Sequence, residues 1–368
     1  MCERALALDP QYADAYQGLG WTYYLEWTWR WSADPQTLEH ALAFAQKALA
    51  LDDSLSDAHS LLSLVYAQKK QYDQAMAEGE RAIVLDPNNA NSYFFQAAAL
   101  NLAGSPEEAL RQAERAMRLN PRYPPFYLTE LGSAYRSTGR YAEAVATLKD
   151  LISQHPSILL AHFYLASSYM QQWAFQQGAD SQTLAQALAA AQRALALNDA
   201  FPRGHAILGI VYLWQKQYEQ ALTEMERAVA LDPNEADSYA ALAEVLSRVG
   251  RPEEAVRIVE QALRLKPSSA DRHLDSIGVA YDLAGRPEEA IAPLKHYLTH
   301  YPNILGAHLT LAAVYNELGQ AAEARAEATE VLQLNPQFSL EVHRQRMPIK
   351  DPAALERHIA ALRKAGLK

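Results

Sequence analysis

The sequence predicts an all-α protein built as an array of about nine helical hairpins followed by a C-terminal capping helix. Three observations carry that prediction. Prolines recur at a constant interval, with Pro87 and Pro121, Pro233 and Pro267, and Pro302 and Pro336 each 34 residues apart. Between them, large and small apolar residues alternate at i, i+3, i+4 and i+7, the spacing of one apolar stripe along a helix. The chain is rich in Ala, Leu, Glu and Gln and has no β-branched runs, a mixture that favours helix over strand.

The elements follow in chain order. Residues 1–10, "MCERALALDP", read as the second helix of a hairpin whose first helix is missing, so an upstream polypeptide is expected. Hairpins are expected at 11–53, 54–87, 88–121 and 122–156, which form a first block over 11–156. A second block over 157–302 repeats it as 157–199, 200–233, 234–267 and 268–302. The duplication is visible directly. "SADPQTL" at 32–38 returns as "GADSQTL" at 178–184, "QYDQAM" at 71 as "QYEQAL" at 217, and "QHPSILLAH" at 154 as "HYPNILGAH" at 300, every offset being 146 residues. A ninth hairpin occupies 303–336. In the tail, 337–368, a short helix over 339–346 precedes a longer one. Asp351 is its N-cap, Pro352 its first residue, Leu355, Ile359 and Leu362 its apolar stripe, and Gly366 its end. Stacking between neighbours alone is expected to hold such an array together.

Each hairpin carries a recognisable phrase. Tyr16–Leu19–Gly20–Tyr23, Leu128–Leu131–Gly132–Tyr135, His205–Leu208–Gly209–Tyr212 and Leu274–Ile277–Gly278–Tyr281 share one spacing on the first helix. The second helix brings a small residue at Ala75, Ala109, Ala144, Ala221, Ala255, Ala290 and Ala324. These phrases resemble the tetratricopeptide repeat (TPR) over nearly the whole chain. The resemblance implies a right-handed superhelix and a role in protein–protein interaction. The tail "NPQFSLEVHRQRMPIKDPAALERHIAALRKAGL" (335–367) is similar to the ending of TPR modules attached to bacterial class III adenylate/guanylate cyclases and to winged-helix regulators. That similarity implies the regulatory or sensory arm of a larger bacterial signalling protein, with its partner in the concave groove and a further domain upstream. A free-standing adaptor that binds a peptide in the groove is the alternative. The carboxylate clamp of chaperone adaptors is absent, since the clamp positions read Ser60/Leu64, Phe94/Ala98, Thr129/Ser133 and Ala206/Ile210.

The stretch "WTYYLEWTWRW" (21–31) holds four of the six tryptophans. Tyr16, Gly20, Tyr23 and Trp27 share the stripe expected to face the partner helix, and Trp173 and Phe175 stand where Trp27 and Trp29 have their counterparts. Trp27, Trp29 and Trp173 are therefore expected in the framework. Trp21, Tyr24 and Trp31 fall on the other stripe, which in TPR arrays lines the concave face. Trp21 and Tyr24 could contact a partner or pack on an upstream segment. Extending that stripe along the array adds Asp57, Phe94, Asn101 and Arg136 in the first block. Phe163, Trp214, Glu244, Arg248, Asp275 and Asp282 extend it in the second. Aromatic anchors with flanking charges suit a peptide or protein partner.

Signs of chemistry are scarce. No phosphate loop, dinucleotide fingerprint, H-E-x-x-H or nucleophile elbow occurs, so no enzyme, cofactor or metal is expected. His59, His162, His205 and His308 take the aromatic position of the repeat and are expected in the core. The net charge of −10 argues against a nucleic-acid surface. The tail departs from it, with seven Lys or Arg against three Asp or Glu in 337–368, and is expected to fold back on the acidic body. A single Cys2, no secretory h-region and no membrane-length apolar run point to the cytoplasm.

Overall fold

The computed structural model describes residues 1–28, 34, 36–265 and 274–368. Within them are 21 α-helices and no strand. The chain divides into two units, Met1–Ala134 and Tyr135–Lys368. In the first lie α1 (Cys2–Leu8), α2 (Ala13–Thr28), α3 (Thr37–Leu51), α4 (Ser56–Gln68), α5 (Tyr72–Leu85), α6 (Ala90–Leu102) and α7 (Pro106–Leu119), followed by most of α8 (Phe126–Ser137). The second continues with α9 (Tyr141–Gln154), α10 (Leu159–Phe175), α11 (Thr183–Leu197), α12 (Pro202–Trp214), α13 (Tyr218–Leu231), α14 (Ala236–Arg248) and α15 (Pro252–Leu265). It ends with α16 (Leu274–Leu283), α17 (Pro287–His300), α18 (Leu305–Glu317), α19 (Ala321–Leu334), α20 (Leu340–Arg346) and α21 (Pro352–Ala365).

Helices pair as α2 with α3, α4 with α5 and α6 with α7 in the first unit, and as α10 with α11, α12 with α13, α14 with α15, α16 with α17 and α18 with α19 in the second. Small residues make the close approach possible. Ala75, Ala109, Ala144, Ala221, Ala255, Ala290 and Ala324 are all fully buried, so no longer side chain fits where the paired helices meet. Prolines at the first helical turn of α7, α12 and α17 need no amide donor there. The turn between paired helices takes one residue into the left-handed region. Gly104 does so at φ 76°, and Lys70 and Lys216 do the same at 61°.

The histidines at the aromatic position are buried as expected and have a further use. His59 Nδ1 lies 2.6 Å from Glu78, and Nε2 lies 3.1 Å from the carbonyl of Asp53. His205 meets Glu224 at 2.6 Å and the Asp199 carbonyl at 2.8 Å. His308 meets Glu327 at 2.6 Å and the Pro302 carbonyl at 2.9 Å. Each ring ties the first helix of a hairpin to the second. At His59 and His308 these two acceptors favour a ring that donates from both nitrogens, and they raise it above the usual histidine range. Among the described residues no group of three or more His, Cys, Asp or Glu could hold a metal ion. No described helix is long and apolar enough to cross a membrane.

The second unit departs from the expectation that neighbours alone hold the array. After α19 the chain returns to the end of α10. Asn335 Nδ2 donates to the Phe175 carbonyl at 3.0 Å, Gln176 Nε2 to the Ser339 carbonyl at 2.9 Å and Ser339 N to Gln176 Oε1 at 3.0 Å. A Cβ on Gly306 would stand 2.9 Å from the Phe175 ring, so α18 approaches α10 as closely as it does because that residue is glycine. In the tail, Ser339 caps α20 through Val342 N and Asp351 caps α21 through Ala353 N. Gly366 ends α21 at φ 110°. Helix α21 packs on α18 and α19 and buries Ile359 and Leu362 almost completely.

Candidate functional site

In the first unit, the stripe expected to be open is largely covered. Tyr24 is only 7% exposed, and burial pushes its phenol up to about 12. Phe94 is 5% exposed and stacks flat on Tyr127 at 4.3 Å, with Phe95 and Phe126 against its edges. Both are core residues rather than open groove surface. The reason is size: this stripe faces the first helix of the next hairpin, and an aromatic ring reaches far enough to be enclosed by it. Trp21 is half-buried, 4.6 Å from Phe95 and 5.9 Å from Tyr24, so it packs within the array. Asn101 donates to Glu130 at 3.3 Å, and Asp57 accepts from Asn89 at 3.1 Å. The framework stripe holds Tyr23, stacked on Phe44 at 5.4 Å. Trp27 is half-buried beside Tyr24, and Trp29 and Trp31 lie outside the described residues. Phe126, against the edge of Phe94, is left 45% exposed.

In the second unit, the expected residues converge, and the chain's own tail lies over some of them. Phe163 is 9% exposed, capped by Arg203 at 4.5 Å and by Phe201 at 5.6 Å. Trp214, also 9% exposed, lies 5.8 Å from the Arg248 guanidinium, and Glu244 pairs with Arg248 at 3.3 Å. The non-helical run Met347–Lys350 then crosses the end of α14. Lys350 N donates to the Arg248 carbonyl at 2.8 Å, Arg248 Nη1 meets Met347 Sδ at 2.9 Å, and Lys216 Nζ donates to the Gln345 carbonyl at 3.0 Å. Met347, Pro348 and Ile349 are buried.

Asp282 is 5% exposed. Burial first, and Glu317 second, push its carboxyl up to about 7, against the pull of Arg357 and Arg248. Arg136 lies 5.9 Å from the Tyr164 ring. With Trp214, Glu244, Arg248 and Asp275 it lines a cavity of about 270 Å³.

Two residues on that wall were not singled out from the sequence, His343 and His358. Their rings are 5.7 Å apart and buried. Burial, the neighbouring imidazole and Arg248 hold His343 well below the usual histidine range. Burial, Arg248 and Arg357 bring His358 to about 4. The available signal was helical spacing: His343 stands three residues after Leu340, and His358 between Leu355 and Leu362 on the apolar stripe of α21.

Models of the tetratricopeptide repeat match residues 56–89, 100–167, 204–268, 240–303 and 305–328, together more than half of the chain. The chain belongs to the tetratricopeptide repeat family. Such an array is a protein–protein interaction scaffold. Among solved structures it is similar to human IFIT1 in a dimer with m7Gppp-AAAA, at 14% identity and a TM-score of 0.57, over 88% of this chain and 72% of that one. It is also similar to the APC/C hetero-tetramer Cut9–Hcn1, at 16% identity and a TM-score of 0.53, over 99% and 71%. A thermophilic TPR protein from Thermus thermophilus, TTC0263, is 24% identical over 54% of this chain and 98% of that chain, with a TM-score of 0.46. At these identities the likeness is one of fold. No curated protein matches the sequence.

Proposed function

We propose that this TPR array is a non-catalytic scaffold, cytoplasmic, that serves as the C-terminal regulatory arm of a larger bacterial signalling protein. A protein or peptide partner would bias the state of a domain upstream through different affinity for its two conformations. The observation that carries the interaction reading is the seat of Met347–Lys350. A non-helical segment is held on this array by a backbone carbonyl at the end of α14, a guanidinium–thioether contact and burial of three consecutive side chains. Main-chain hydrogen bonds joined to pockets for side chains are a recurring way of holding an extended peptide. The similarity of 335–367 to the ends of cyclase and winged-helix modules favours the regulatory arm over a free-standing adaptor.

The test compares the parent protein with and without residues 1–368, and with Trp21→Ala and Phe126→Ala in the array. Loss of regulation with intact basal activity is the expected result, together with no nucleotide turnover by the isolated array. A gene that encodes nothing upstream, or regulation unchanged without the array, overturns the arm reading in favour of the adaptor.

A further inference from the structure

The cavity of the second unit has walls of two kinds. One is apolar, with Ile210 and Trp214 on α12. The other is polar and unfinished. Both ring nitrogens of His343, Nε2 of His358, Oε1 of Gln171 and Nε of Arg136 and of Arg248 are buried and have no hydrogen-bond partner among the described residues. His343 is 2% exposed and His358 7%, and both line the cavity. A buried polar atom without a partner carries a free-energy cost of about 1–3 kcal/mol, and folded proteins leave few of them. Six around one cavity is the pattern of a site whose remaining partner is a ligand.

The wall also states what that ligand is. Both imidazoles are held neutral by burial, so each offers one donor and one acceptor and no charge. The charge of Arg248 is balanced by the Glu244 carboxylate 3.3 Å from its Nε. Asp275 accepts from the backbone N of Ser276 at 2.7 Å in the first turn of α16, where a helix terminus favours an anion. Arg136 has one hydrogen bond among the described residues, from Nη2 to Ser137 at 3.4 Å, and no carboxylate partner there. The volume falls just under the range of pockets for drug-sized molecules.

We propose that this cavity is a binding site for a small organic acid of about amino-acid size. Arg136 receives its carboxylate, Ile210 and Trp214 take its apolar body, and the imidazoles of His343 and His358 meet its remaining polar groups. Because His343 belongs to α20 and His358 to α21, an occupied site holds the tail in place. Such a site is independent of what the array's outer surface binds.

The experiment uses the full chain with 3-phenylpropionate and indole-3-acetate, and with their amides as uncharged controls, by calorimetry and saturation-transfer NMR. The acids should bind. The amides, and the acids on Arg136→Gln, should bind about ten- to a hundredfold more weakly, the loss of one charge-assisted hydrogen bond. Ile210→Trp, which fills the cavity, should abolish binding of both, with circular dichroism confirming the fold. Ser167→Phe, at another lining residue on α10, replaces it if that variant does not fold. A cavity that holds water only, seen as no binding by either acid, overturns the proposal. So does equal binding of acid and amide, or binding that survives the filled cavity.

Discussion

Arg346 stacks on Trp173 with its guanidinium carbon 3.9 Å from the ring centroid, and its Nη1 donates to the carbonyl of that same tryptophan at 2.6 Å. One side chain of the tail thus grips both the side chain and the backbone of a residue on α10. Arg346→Ala should remove a cation–π contact and a charge-assisted bond together, at about 2–4 kcal/mol. Arg346→Lys should recover part of this, since an ammonium cannot lie flat on the ring while it reaches the carbonyl. Hydrogen exchange at the Lys350 amide, which the docked tail protects, reads the effect. An unchanged exchange rate in Arg346→Ala contradicts it.

Removal of 337–368 should destabilise the second unit and expose an apolar face on α18 and α19. Ile359, Leu362 and Leu367 are each 1% exposed or less and lose about 1.5–3 kcal/mol of burial apiece. Thermal melting and sedimentation check this, with a truncated chain expected to melt earlier and to self-associate.

The aromatic stripe of the first unit gives a graded series. Phe94→Ala should cost about 3–5 kcal/mol, the range for emptying a buried aromatic site. Phe126→Ala, from a ring 45% exposed, should cost far less. Trp21→Ala should fall between them, because its ring packs on Phe95 and yet is half-buried. Denaturant melts give the order, and equal losses at 94 and 126 rule it out.

Much of this architecture was legible beforehand. The seven alanines of the second helices stand at a fixed distance from the prolines, and periodicity alone marks them as contact points. Burial of His59, His162, His205 and His308 follows from the same periodicity. The depth of Tyr24 and Phe94 did not, because a stripe gives the direction of a side chain and not how far the neighbouring hairpin covers it. The tail's seat was illegible for a different reason. Gln176 and Ser339 are 163 residues apart, and a contact made once across that distance leaves no period to read.

Stability should respond to pH with opposite signs at two sets of histidines. For His59 and His308, burial pushes the ring down, but the bonds to Glu78 or Glu327 and to a backbone carbonyl outweigh it, so the net direction is up from 6.5. Their contribution is complete below about pH 6.5 and is lost as pH rises through the raised value. Glu78→Gln and Glu327→Gln should therefore cost more at pH 6 than at pH 8. His343 and His358 are lowered, so their contribution is complete above about pH 6.5 and is lost as pH falls, for His358 through about 4. Acid should release the tail before it opens the hairpins, which tryptophan fluorescence against circular dichroism will separate.

Gly306→Ala should destabilise by about 1–3 kcal/mol, the usual result of overpacking, because its Cβ meets the Phe175 ring. Phe175→Leu in the same chain should restore part of the loss. A double-mutant cycle measures the coupling, and simple additivity would show that the two residues do not constrain each other.

The return of the tail to α10 also bears on how many hairpins the second unit can contain. An open array tolerates gain or loss of a hairpin anywhere, since each contacts only its neighbours. Here Gly306 must meet Phe175, Ser339 must meet Gln176, and Arg346 must meet Trp173. One hairpin more or fewer between α10 and α18 would carry every one of these pairs out of reach at once. Repeat number in this part of the chain is therefore a fixed integer, set by the distance the tail must span to reach α10.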